Sequence, residues 1–124
     1  MEPSSIQIKS IAPLLLVADL QQSVAFYEKY LGFKPDFFYD DFYAGITYGV
    51  YQLHLKLNYN GVGRPQKAPD DIDFTFNVTG IGAFYESIRA SGVTIVQPLR
   101  EMPYGTEFYI ADPDGYILSF LETE

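Results

Sequence analysis

LLLVADLQQSVAFYEKYLGFKP, residues Leu14–Pro35, holds a strand, a capped helix and the entry to the next strand. Ile11–Val17 is short and apolar and reads as a buried strand. Asp19 is a helix N-cap residue type. Leu20, Val24, Tyr27 and Leu31 recur at helical spacing, which predicts a helix to about Tyr30. Gly32 then supplies the left-handed stop that ends many helices.

Outward from this stretch, strands are predicted at about Asp36–Tyr39, Tyr43–Gly49 and Tyr51–Leu57. The last alternates, with Tyr51, Leu53, Leu55 and Leu57 on one face and Gln52, His54 and Lys56 on the other. NYNGVGRPQKAPD at Asn58–Asp70 is rich in Gly, Pro and Asn and reads as a linker. Beyond it the order returns. Asp71–Val78 alternates, with Ile72, Phe74, Phe76 and Val78 set against Asp71, Asp73, Thr75 and Asn77. A helix from about Ile81 to Ala90 follows, ending before Gly92, then strands near Val93–Gln97, Thr106–Ala111 and Tyr116–Glu122. Asp112-Pro113-Asp114-Gly115 has the residue types of a type I turn.

Each half therefore reads as strand, helix and three strands: module one at about residues 6–57, module two at 71–124, in one domain over 1–124. Ala25-Phe26-Tyr27-Glu28 recurs as Ala83-Phe84-Tyr85-Glu86. These letters are out of register with the alignment of Val17 on Val78 and Gly32 on Gly92, so the shared order of elements is the stronger evidence of a repeat.

Composition narrows the function classes. A chain of 124 residues, 48% hydrophobic, can bury a real core. A net charge of −8 argues against nucleic acid as a partner, because non-specific binding there depends on Lys and Arg. That balance suits a cationic ligand, or an acidic surface kept for solubility. The absence of cysteine excludes disulfides, thiolate catalysis and Cys-based zinc sites. The N-terminus lacks a signal-peptide core and no apolar run reaches membrane-span length, so no membrane role and a cytoplasmic location are expected. The 11 Tyr and 10 Phe suit both half-buried sheets and ligand cavities.

Asp19, Leu20, Ser23, Phe26, Tyr27, Leu31, Gly32 and Phe33, together with the Asp112–Gly115 turn, resemble the vicinal-oxygen-chelate superfamily. That group includes glyoxalase I, bleomycin-resistance proteins, fosfomycin-resistance enzymes and extradiol dioxygenases. In character the chain is similar to the metal-free, bleomycin-resistance-like branch. The resemblance implies an α+β fold of two βαβββ modules. Their strands would form an open, curved, mostly antiparallel, barrel-like sheet, with the helices outside and the ligand inside. It also implies a homodimer.

In metal-dependent members of that superfamily one ligand comes from each of four strands. The matched motifs place these at Ala12, His54, Asp73 and Ser119. Alanine cannot ligate and a neutral serine hydroxyl is a poor ligand, so only two good ligand types remain where a metal site normally needs three. The four positions then read as a cavity, joined by Leu14, Tyr43, Tyr48, Gln52, Thr75, Tyr104 and Glu107, with Tyr39, Phe42, Phe108 and Tyr109 near its mouth. Three functions stay open. One is a small-molecule binding protein that sequesters a planar or cationic compound and needs no cofactor. The second is a metal-dependent lyase, isomerase or dioxygenase whose divalent metal has the atypical ligands His54, Asp73 and Glu107. The third is metal-free acid–base catalysis by His54 and Asp73. Whether any reaction is catalysed is left open by the sequence.

Overall fold

The pattern around Asp19 produces the helix it predicts. In a computed structural model of the chain, which describes residues 5–58 and 68–124, α1 spans Leu20–Leu31. The Asp19 carboxylate accepts from the Gln22 N–H at 3.0 Å, satisfying one of the first turn's orphan donors. Gly32 stops the helix at φ 76°, and the Phe33 N–H returns to the Tyr27 carbonyl at 3.1 Å.

The first unit, Met1–Asn60, carries one sheet of β1 (Leu14–Val17), β2 (Lys34–Tyr39), β3 (Tyr43–Tyr48) and β4 (Tyr51–Leu57), in the order β1-β4-β3-β2. α1 covers one face. Leu15, Val17, Ala44, Ile46, Leu53 and Leu55 are buried there, as are Leu20, Val24 and Tyr27 of the helix. Each large aliphatic side chain among them stabilises the fold by roughly 1.5–3 kcal/mol.

The second unit, Gly61–Glu124, repeats the plan with β5 (Phe74–Asn77), α2 (Ile81–Ser91), β6 (Ile95–Met102), β7 (Gly105–Ala111) and β8 (Ile117–Glu122), ordered β5-β8-β7-β6. Its helix-covered face is aromatic. Phe108 and Phe120 stack at 5.1 Å, Phe76 stacks on Phe120 at 5.1 Å, and Phe84 of α2 meets Phe120 at 5.0 Å. Gly80 at the α2 N-cap has no side chain to offer. The cap comes instead from Glu122, whose Oε1 accepts from the Ile81 N–H at 2.9 Å.

The barrel-like sheet implied by the resemblance is corrected here. Each sheet is mixed, with one parallel pair (β1 with β4, β5 with β8) and two antiparallel pairs. Each is also open, ending on β1 and β2 or on β5 and β6, and no ladder closes either on itself among the described residues. The physical reason is the pairing: among the described residues the strands bond as two separate four-stranded sheets, and four strands are too few to curl shut, since a closed barrel just wide enough to be filled by its side chains takes about eight.

Several boundaries also move. β1 begins at Leu14, so Ala12 stands before the strand, and β5 begins at Phe74, which leaves Asp73 just ahead of it. β6 runs on to Met102 through Pro98, which an edge strand tolerates because it has one unpaired side. Residues 59–67 of the expected linker lie outside the described residues.

Candidate functional site

Cross-strand partners share a face, so the register assembles the helix-free face of the first sheet. One row is Leu14–His54–Gly45–Phe37 and the next is Leu16–Lys56–Tyr43–Tyr39. The register thus brings Leu14, Tyr43, Gln52 and His54 together on one face. His54 is half-buried, and its Nδ1 lies 2.8 Å from the Tyr43 hydroxyl in a hydrogen bond. Phe37 meets its ring edge-on at 5.5 Å and stacks parallel to Tyr43 at 6.2 Å. Gly45 permits this arrangement, since a Cβ there would collide with the Phe37 ring. Tyr48 is not part of this face. It shares strand parity with buried Ala44 and Ile46 and packs over Gly32 and Phe33 at the end of α1.

The helix-free face of the second sheet has the rows Thr75–Ser119–Tyr109–Gln97 and Asn77–Leu121–Glu107–Arg100. Glu107 is 3% exposed and hydrogen-bonded through both carboxylate oxygens. Its Oε1 accepts from the Tyr104 hydroxyl at 2.6 Å. Its Oε2 accepts from Arg100 Nε at 2.8 Å, from Arg100 Nη2 at 2.7 Å and from the Tyr109 hydroxyl at 3.0 Å. Arg100 is held further by Gln97 Oε1 at 3.1 Å. Burial alone would raise the Glu107 carboxyl, but the hydrogen bonds from Tyr104, Arg100 and Tyr109 outweigh it and hold the group below the ordinary carboxylate range. The bond to Glu107, then burial, raise the Tyr104 phenol. Burial, then the bond to Glu107, raise Tyr109. The cluster is therefore an ionised Glu–Arg pair flanked by two neutral phenols.

The remaining expected residues fall as follows. Ser119 is buried beside Tyr109, and Thr75 is exposed at the edge of the same face. Asp73 is engaged by backbone. Its Oδ2 accepts from the Ile117 N–H at 2.8 Å, and its own N–H donates to the Ile117 carbonyl at 2.9 Å. That bonding extends the β5–β8 ladder by one residue. Phe108 lies on the helix side, 5.0 Å from Tyr85 and 5.7 Å from Phe84. Ala12 is half-buried ahead of β1.

A family profile describing the Glyoxalase/Bleomycin resistance protein/Dioxygenase superfamily matches residues 7–120. The chain belongs to that superfamily. It is 28% identical over 121 residues to a lactoylglutathione lyase of Haemophilus influenzae, covering 90% of each chain. It also resembles the crystal structure of a glyoxalase-related enzyme from Fulvimarina pelagi, with 25% identity, a TM-score of 0.70, and coverage of 94% of this chain and 89% of that one. An integron cassette protein from the mobile metagenome of V. cholerae has 26% identity and a TM-score of 0.68, covering 97% of this chain and 99% of that one. At the level of the superfamily this supports a small-molecule-binding role.

The residues present do not fit the metal of metal-dependent superfamily members. Among the described residues no three His, Asp or Glu side chains gather where they could hold a metal ion. Glu107, the expected third ligand of the atypical set, already accepts from four donors, two of them on a guanidinium cation that neutralises its charge. No helix among the described residues is long and apolar enough to cross a membrane.

Sequence reasoning missed Arg100, Gln97, Phe37 and Gly45 as site residues. Register shifts between Gln97 and Arg100 put two residues three apart on one face, and a shift between Pro35 and Phe37 disturbs the alternation of β2. A bulge defeats strict alternation, which is the signal that the sequence offers. The usable hint was Gly45 itself, since a glycine inside a strand often marks a close approach.

Proposed function

We propose that this superfamily member binds a small planar compound on the helix-free face of its first sheet, without a metal. The observation that carries this reading is the group of Phe37, Tyr43 and His54 rings, with Phe37 seated on Gly45. Aromatic faces and edges of this kind pack on flat π-systems. Lys56 stands exposed at a register position on the same face, which turns the reading from a cationic toward a neutral or electron-rich ligand. Exposed Ile6, Ile8 and Ile11 precede the edge strand β1 and support self-association as a homodimer.

The relatives named as lactoylglutathione lyases favour a second reading, lyase chemistry. The lack of a three-ligand cluster among the described residues counts against its metal-dependent form. The two readings separate in one experiment. 2-Naphthol at about 100 times its Kd should stabilise the protein by about 2.7 kcal/mol, whereas the saturated analogue 2-decalol should not. Phe37→Ala and Tyr43→Ala should abolish the difference. Absence of stabilisation by any flat compound, with turnover of a 2-oxoaldehyde–thiol adduct on adding Ni or Zn, would establish the lyase instead.

A further inference from the structure

We propose that His54 is the polar anchor of this face: its Nε2–H donates to an acceptor oxygen of the ligand, and Tyr43 fixes the tautomer that makes it a donor. This rests on the planar-ligand reading and narrows it to flat compounds bearing a carbonyl-type oxygen.

The Tyr43 hydroxyl and His54 Nδ1 are 2.8 Å apart. A phenol is a stronger donor than a neutral imidazole N–H, and an imidazole sp2 nitrogen is a stronger acceptor than a phenol oxygen. Tyr43 therefore donates, Nδ1 accepts, and the ring proton sits on Nε2. Nε2 has no hydrogen-bond partner among the described residues, although the ring is half-buried. The ring is only half-buried, so this N–H is open to solvent and free to exchange water for an acceptor oxygen on a ligand held by the aromatic surface beside it. The ring itself is held in place. Phe37 stands against it at 85° and Tyr43 at 71°, and Phe37 is seated on Gly45, where any side chain would displace it. Exposed Lys56, two residues along β4 on the same face, adds a cation that also favours an oxygen acceptor.

The chain has one histidine, so its two ring nitrogens give a single, unambiguous pair of 15N signals. The test uses 1-indanone and indane, flat bicycles that differ by the carbonyl. In the free protein the proton is expected on Nε2. 1-Indanone should shift the Nε2 resonance and bind about fivefold tighter than indane, the effect of one neutral hydrogen bond. Tyr43→Phe, which keeps the ring and removes the donor that fixes the tautomer, should reduce that preference to less than about twofold. A proton on Nδ1, or equal binding of the two compounds with Nε2 unmoved, overturns the inference while leaving the planar-ligand reading intact. Binding of neither compound overturns the planar-ligand reading, and this inference with it.

Discussion

Glu107→Ala is expected to destabilise the protein by about 2–3 kcal/mol, the scale for losing charge-assisted hydrogen bonds and orphaning their partners. For a chain of this size that is a fall of roughly 10 °C in melting temperature. The substitution removes the acceptor of Tyr104 and Tyr109 together with the counter-charge of Arg100. Glu107→Gln, which keeps one acceptor oxygen, should cost less. The effect also depends on pH. Because the folded protein holds the Glu107 carboxyl below its ordinary value of 4.5, its contribution is complete above that value and is lost as pH falls through the folded pKa. The gap between wild type and Glu107→Ala should therefore be full at neutral pH and shrink in acid. At the alkaline end the sign reverses. Tyr104 and Tyr109 are raised above 10.0, so the stability they contribute as neutral phenols is present below that value and lost as pH rises through their folded pKa values. Urea unfolding across the pH range measures both limbs, and an equal wild-type-to-mutant gap in acid and at neutrality would contradict the assignment.

Gly105→Ala is expected to cost about 3 kcal/mol, from overpacking and backbone strain acting together. Gly105 opens β7 at φ 148°, a conformation suited to glycine. An added Cβ would strike the Glu122 carbonyl oxygen and lie 3.1 Å from Thr123 Cα. These obstacles are backbone atoms and cannot rotate away. Glu122 also caps α2 through Ile81, so hydrogen exchange at the start of that helix should quicken in the variant. Gly82→Ala is the control. Nothing lies within 4 Å of a Cβ there, and replacing a glycine in the first turn of α2 with alanine should raise stability by about 0.5 kcal/mol, chiefly by restricting the unfolded chain. A Gly105→Ala variant that melts with the wild type would contradict the β7–β8 packing described above.

The sequence reveals most where a local rule acts alone. Asp19, Gly32 and the spacing of Leu20, Val24 and Tyr27 define α1 without any tertiary help. The alternation of Tyr51–Leu57 orients His54 correctly because β4 pairs on both sides without a bulge. Failures occur where distant residues decide. Asp73 looks like a candidate ligand until Ile117, far along the chain, uses its carboxylate. Glu107 looks available until Arg100 and two tyrosines converge on it across a bulged edge. Tyr48 has a ligand-site residue type, but parity with Ile46 turns it to the helix side. The barrel-like sheet came from resemblance and not from any residue pattern, and the strand pairing does not close one.

The central claim is that the ring-lined, helix-free face of the first sheet binds a flat ligand without a metal. Its most direct test is an aromatic 1H–13C NMR titration of metal-free protein with 2-naphthol. The predicted result is a saturable shift of the Phe37, Tyr43 and His54 ring signals, while the buried helix-side rings of Tyr27 and Phe108 stay still. Shifts confined to the helix side, or appearing only after a divalent metal is added, would contradict it.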